Sequence, residues 1–275
     1  MTSEAGYDAD RTPRRVRHEL KFRRLKVASV ETLSPQLKRI VIQGADLEGF
    51  TSLGFDDHVK LVPPMPGEAL IVPEVTPEGV VWPDPKPAMR DYTPRAYDPK
   101  THSLTIDFAV GHGGPATAWA EQARAGDEIG IGGPRGSMIV PVEYRTHLLI
   151  GDEAALPAIA RRLEDLPAGV QAIAVIEVED EAGELALTSA ADLKVIWVHR
   201  QGETRGEGTA LSAAAVKAAS ELDASDAYVW AACESSVARA LRPRLLAANS
   251  FNPKWMKVAG YWRRGAEGQH EVIED

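Results

Sequence analysis

The feature that most constrains the fold is a change of texture near residue 145. Before it, the chain is a series of short β-branched segments that alternate in polarity and are cut by turn residues. Examples are residues 24–30 (RLKVASV), 38–43 (KRIVIQ), 58–62 (HVKLV), 103–110 (SLTIDFAV) and 128–131 (EIGI). Pro63-Pro64, the PDPKP stretch at 83–87 and Gly132-Gly133-Pro134 separate them. Short alternating strands with turns between them predict a small antiparallel barrel. One helix interrupts it at 115–124, with proline in its first turn and glycine soon after its last. After residue 145 come four continuous apolar runs at 146–150, 170–178, 195–198 and 228–232. Helical stretches at 158–165, 210–221 and 235–248 alternate with them. That alternation predicts a parallel sheet covered by helices. The expected division is an arm over 1–19, a barrel domain over 20–142 and an α/β domain over 143–275.

Composition excludes several function classes. A single cysteine, Cys233, rules out an intramolecular disulfide and a four-cysteine iron–sulfur cluster. The seven histidines are scattered along the chain, so no metal site is expected. Redox chemistry would then need a bound organic cofactor. The net charge of −9 disfavours non-specific nucleic-acid binding, which requires dense cationic surface. Residues 11–26 do hold eight Lys or Arg, read here as a solvated, flexible arm. No stretch approaches the roughly 18 apolar residues of a membrane helix, so a soluble, cytoplasmic protein is expected. No oligomer interface is evident, and a monomer is expected.

Two segments carry chemistry. In PAMRDYTPRAYDP (87–99), an aromatic ring at Tyr92 suits the face of a flavin ring system. The hydroxyl of Thr93 suits its polar edge, and Arg90 suits a pyrophosphate. In a strand Arg90 and Tyr92 share a face and Thr93 points the other way, so the segment needs a bend, which Pro94 supplies. The second segment, 107–117 (DFAVGHGGPAT), is a strand running through a glycine turn into a helix N-terminus. Exposed backbone N–H groups and the helix dipole there form an anion site. Glycine permits close approach of the ligand.

The order RxYT, then a strand into G-x-x-[ST] before a helix, then GPRG at 133–136 resembles the ferredoxin-reductase-type flavoproteins. The phrases DDHVKLVPP, RDYTPRAYD, GPATAWA, AGDEIGIGGPRGS, GDEAALPAIARRLE, VIWVHR and GYWRRG resemble one branch, the siderophore-interacting proteins or FAD-dependent ferric-siderophore reductases. They run in family order from residue 56 to residue 265. The resemblance implies an antiparallel six-stranded FAD-binding β-barrel followed by a parallel-sheet α/β domain for NADPH or NADH, in a ferredoxin-reductase-like arrangement. It implies a ferric siderophore, or another ferric chelate, as substrate. At the flavin it implicates Arg90, Tyr92 and Thr93, the pyrophosphate turn Gly114, Ala116 and Thr117, and the lining-strand residues Asp107 and Val110. One departure is that Gly111 precedes His112 where relatives often have histidine first.

In the second half, ligands are expected beyond the C-terminal ends of the parallel strands, which puts Asp152 and Glu153 of the GDEAALP loop at the nicotinamide-nucleotide site. That loop carries Ala154 where relatives have a hydroxyl, and Cys233 stands where they tend to have glycine. Arg200 and Arg205 suit a 2′-phosphate, whereas Glu177 and Glu179 suit ribose hydroxyls, so the sequence leaves NADH and NADPH both open. An acidic protein needs local cations to hold an anionic chelate. The candidates are Lys60, Arg135 and Arg263. The alternatives are a general NAD(P)H flavin reductase or diaphorase, and a non-catalytic FAD- or siderophore-binding protein.

Overall fold

The structure, a computed structural model, describes residues 11–65, 67–76, 79–265 and 271–273. Its first eleven strands are β1 (Arg14–Arg17), β2 (Phe22–Ser34), β3 (Leu37–Gln43), β4 (Val59–Val62), β5 (Glu74–Thr76), β6 (Gly79–Val81), β7 (Arg90–Tyr92), β8 (Pro94–Asp98), β9 (Ser103–Ala109), β10 (Glu128–Gly132) and β11 (Gly136–Ile139). Helix α1 (Pro115–Gln122) lies between β9 and β10. The remainder is β12 (Thr146–Gly151), α2 (Leu156–Asp165), β13 (Gln171–Val178), β14 (Asp192–His199), α3 (Thr209–Ser220), β15 (Ala227–Glu234), α4 (Ser235–Ala248), β16 (Met256–Trp262) and β17 (Glu271–Val272). The chain divides into two compact units, one of Arg15–Met138 and one of Ile139 onward together with the start of the chain.

The first unit is built on an antiparallel sheet of order β7-β4-β10-β2-β3-β9-β8. The two strands at the ends of that order, β7 and β8, are separated in the chain by Thr93 alone. A sheet whose two edges are one residue apart must curl round, and so it closes as a barrel. Counted as one strand bent at Thr93, the pair gives the expected six; counted separately, seven. Thr93 at the bend is buried. Period-two alternation turns Leu25, Ile40, Ile42, Leu61, Leu104 and Ile106 inward to one core. Among the segments not expected as strands are β1 in the arm, β5, β8, whose first residue is proline, and the short β11.

The described part of the basic arm is not a free tail. β1 pairs with β11, and a Cβ on Gly136 would lie 2.5 Å from the Val16 carbonyl oxygen, so glycine is what lets the two backbones meet. Arg11 pairs with Asp226 and stacks on the Tyr144 ring, and the Tyr144 hydroxyl donates to the Arg11 carbonyl. Residues 1–10 lie outside the described residues.

The second unit holds a sheet of order β14-β13-β12-β15-β16-β17. Its first five strands are parallel and β17 is antiparallel. All six residues of β12 are buried, which is why it reads as a continuous apolar run rather than an alternating one. α3 and α4 bury Leu211, Ala215, Val237 and Leu241 against Leu148, Val175 and Val229. The chain runs from β12 outward to β13 and β14, then returns to the other side with β15. Strand order therefore reverses at β12 and β15, the place where this architecture binds ligands.

Candidate cofactor and substrate sites

β7 is an edge strand, paired only with β4, in the register Val59↔Tyr92, Lys60↔Asp91 and Leu61↔Arg90. Arg90 and Tyr92 thus share the face of the buried Val59 and Leu61, while Asp91 shares the face of Lys60. The Tyr92 ring packs 4.5 Å from Phe108, which packs in turn on Trp119, so the barrel core fixes it. Tyr92 and Arg90 are both half-buried. Arg90 Nη1 donates to the Met89 carbonyl at 2.9 Å.

At the end of β9 the Val110 amide donates to the Gln36 carbonyl, and the chain then turns through Gly111, Gly113 and Gly114 at φ +81°, +77° and +97°. A Cβ on any of the three would meet no atom within 4 Å, so they bound open space. Gly114 caps α1 with no side-chain acceptor, Pro115 follows it, and the first turn holds no acidic residue. The amides of Ala116 and Thr117 are therefore first-turn donors that the helix itself leaves unused. The Gly111 amide is taken by Glu121 Oε1 at 3.0 Å, but the open space beside the glycines and the first-turn donors of Ala116 and Thr117 fit a pyrophosphate, and with Tyr92 they fit FAD. The Thr117 side chain is buried, its hydroxyl 3.5 Å from His112 Nε2, which lies 2.8 Å from the Ala109 carbonyl. The displaced histidine is thus a brace of the turn.

Two residues expected to line the cofactor are engaged otherwise. Asp107 is 5% exposed and takes two hydrogen bonds from its cross-strand partner Arg39, at 2.7 and 2.8 Å, with Arg95 Nε 3.9 Å away. Its charge ties β3 to β9. Val110 is buried in the barrel core.

In the second unit, Asp152 and Glu153 follow β12 and are each 3% exposed. Asp152 accepts from the Ala154 amide at 2.9 Å and from Trp262 Nε1 at 2.7 Å. Burial pushes its carboxyl above the usual range. Glu153 pairs with Arg200, and Arg205 Nε lies 3.6 Å from it. Glu177, at the end of β13, lies 3.4 Å from Arg200 and is pushed up to about 7, by burial first and then by the Asp152 charge. Arg200 also donates to Glu179, at 3.1 and 2.9 Å. Burial opposes the arginine's charge, but its bonds to Glu153 and Glu179 outweigh that and raise its pKa. Of the two arginines suited to a 2′-phosphate, Arg200 is enclosed by carboxylates, while Arg205 lies over the Trp262 ring at 4.8 Å. The N-terminus of α4 is filled by the chain's own Glu234, which accepts from the Ser236 and Val237 amides. Cys233 is buried and burial raises its thiol pKa, as befits a small core residue. The Asp152–Trp262 bond joins residues 110 apart, and no local pattern in the sequence announces it.

Of the three chelate candidates, Lys60 is bound through Nζ to both Asp91 oxygens, at 2.6 and 2.9 Å. Arg135 and Arg263 are exposed. Tyr261 packs edge-on against Trp230.

A closed antiparallel barrel with an open glycine cradle, followed by a parallel sheet whose order reverses at its middle, defines a ferredoxin-reductase-like flavoprotein. The chain shares that fold with the ferredoxin reductase of carbazole 1,9a-dioxygenase, at a TM-score of 0.61, 15% identity and coverage of 86% of this chain and 66% of the other. Residues 26–138 match the siderophore-interacting FAD-binding domain and residues 144–265 match the siderophore-interacting protein family. The chain belongs to the siderophore-interacting protein family. It is 40% identical over 256 residues to the NADPH-dependent ferric-chelate reductase of Escherichia coli strain K12, covering 92% of this chain and 97% of the relative. Among solved structures it resembles a siderophore utilization protein from T. fusca, with a TM-score of 0.84, 35% identity and coverage of 94% and 98%. Among the described residues no helix is long and apolar enough to cross a membrane.

Proposed function

We propose that this protein is an FAD-dependent ferric-siderophore reductase, an oxidoreductase that moves electrons from NADPH or NADH to a ferric chelate and releases Fe(II). The observation that carries the reading is the open cradle at Gly111–Gly114 with the uncapped start of α1, in a chain of this family. Bound FAD would supply two-electron acceptance from a nicotinamide and one-electron delivery to Fe(III). The chain's part is to hold and shield. The Ala116 and Thr117 amides would hold the pyrophosphate, Arg90 would add a cation to it, and Tyr92 and Thr93 would offer a ring and a hydroxyl to the flavin. Asp152 and Glu153 line the nucleotide side as buried groups that shape the loop. Lys60, Arg135 and Arg263 supply positive potential for the chelate. No protein acid or base is needed, because a siderophore binds Fe(II) poorly and lets it go. The reading includes a monomer acting in the cytoplasm, where nicotinamide nucleotides are available.

The test is an anaerobic titration of the purified yellow protein with NADH and NADPH in turn, followed by a panel of ferric chelates. Bleaching by one nucleotide and reoxidation that differs between chelates is the expected result. Equal reoxidation by every acceptor would make the protein a general flavin reductase. A flavin that neither nucleotide bleaches would make it a binding protein.

A further inference from the structure

The charge of Lys60 is not presented alone. On β4 this lysine has two cross-strand neighbours, Asp91 on β7 and Gly132 on β10. On one side stands a carboxylate. On the other stands a residue with no side chain, whose Cβ, were one added, would lie 3.8 Å from that of Lys60. The lysine therefore leans toward Asp91, and Nζ meets both carboxylate oxygens, at 2.6 and 2.9 Å. The register sets the pair, so it is built into the sheet rather than a chance meeting of long side chains. Arg90 and Tyr92 face the other way, so within its strand only Asp91 faces Lys60. The lysine side chain is 47% exposed and the aspartate 16%, which leaves the ammonium within reach of a solute and the carboxylate behind it.

We propose that Asp91 is a specificity-determining residue that sets the charge class of ferric chelate this protein accepts; the proposal rests on the reductase reading of Lys60. A highly anionic chelate, such as a ferric tris-catecholate, must draw Lys60 away from a two-oxygen, charge-assisted bond and must also approach the Asp91 charge. A neutral chelate, such as a ferric tris-hydroxamate, does neither. The Lys60–Asp91 pair thus makes this surface selective for chelates of low net charge.

The experiment compares wild type, Asp91→Asn, Lys60→Met and the double variant, all flavin-loaded. Two hexadentate ligands serve as probes, a neutral tris-hydroxamate and a tris-catecholate, each as the ferric complex for kinetics and as the redox-inert gallium complex for equilibrium binding. Asp91→Asn keeps the shape and removes the charge. The expected result is a KM and a gallium-complex Kd for the tris-catecholate lower by about three- to tenfold at low salt, less at high salt, with the tris-hydroxamate changed by less than about twofold. In the Lys60→Met background the gain is smaller, because only the repulsion by Asp91 is left to relieve, and Lys60→Met alone weakens the tris-catecholate more than the tris-hydroxamate. Taking the ratio of the two probes removes any effect of Asp91 on the flavin's own potential. Equal changes for both probes, no change for either, or a full gain in the Lys60→Met background would overturn the proposal. A wild type that reduces neither ferric complex but shows the Asp91 effect on gallium binding would instead sink the reductase reading and leave this one standing.

Discussion

Acidification of the second unit offers a prediction whose size follows from two buried groups. His147 is 0% exposed on β12 and sits beside the rings of Tyr144 and Tyr228. Its Nε2 lies 3.4 Å from the Val142 carbonyl, and its Nδ1 has no hydrogen-bond partner among the described residues. Burial first, then the nearby Arg162, lowers its pKa from 6.5 to about 3. A base whose folded value lies below its unfolded one contributes stability above the unfolded value and loses it as pH falls. Between pH 7 and pH 5 the linkage removes about 2 kcal/mol. Glu177 works the other way. Its folded value, about 7, lies above the ordinary 4.5. The stability it contributes is full below 4.5 and lost as pH rises toward 7, so over the same descent it returns about 2 kcal/mol. The two nearly cancel, and wild type should show a shallow profile from these groups. His147→Phe keeps a ring among rings and removes both the titrating group and the unpaired nitrogen. Relative to wild type, the variant should gain about 2 kcal/mol on going from pH 7 to pH 5. Guanidinium titrations of the flavin-loaded protein at pH 5, 6 and 7, followed by circular dichroism, measure the difference. Parallel stability profiles for the two proteins would refute the reasoning, because they would mean that His147 does not resist protonation.

Three further outcomes follow from the sites. Arg200→Met leaves Glu153 and Glu177 buried without their main cation and should cost about 3–5 kcal/mol near neutral pH, a deficit that shrinks as Glu177 protonates below about 7; thermal melts across pH test it, and a loss independent of pH contradicts it. Gly114 sits at φ 97°, ψ 154°, a conformation almost confined to glycine, so Gly114→Ala should cost about 1–3 kcal/mol and put a methyl group into the cradle. Its flavin content on purification should fall while the fold is retained, and full retention would move the pyrophosphate elsewhere. Asp107→Asn weakens the bidentate bond to Arg39 and should lower stability by about 1.5–3 kcal/mol with flavin stoichiometry unchanged; flavin loss without destabilisation would restore Asp107 to the cofactor.

Much of the architecture was legible because it is written in short periods. The alternation of 103–110 became β9, the apolar runs became β12, β13, β14 and β15, and the helix expected at 235–248 is α4 residue for residue. The bend that Pro94 implied after Tyr92 is the corner where the barrel closes. Less visible were β8, which opens on a proline, and β16, whose MKVAGYW shows no continuous apolar run because it lies toward the edge of the sheet, with only two-residue β17 beyond it. The arm was read as solvated from its charge, yet a strand can pair through its backbone whatever its side chains carry.

The resemblance to siderophore-interacting proteins at Arg90-Asp91-Tyr92-Thr93, the glycine turn and GPRG rested on local order, and so the sequence by itself determined the family, the two-part plan and the glycine turn proposed here as the cofactor cradle. What only the tertiary structure decided was the partner of each charge. Lys60 is joined to Asp91 across 31 residues and Arg200 to Glu153 across 47. Asp107 is taken up by Arg39, and Asp152 by Trp262. Local pattern fixes which groups exist and which way a strand turns them. Whether a charged group faces a ligand or another side chain depends on what folding brings within about 4 Å, where an opposite charge offsets part of the desolvation cost, and chain distance carries no record of that.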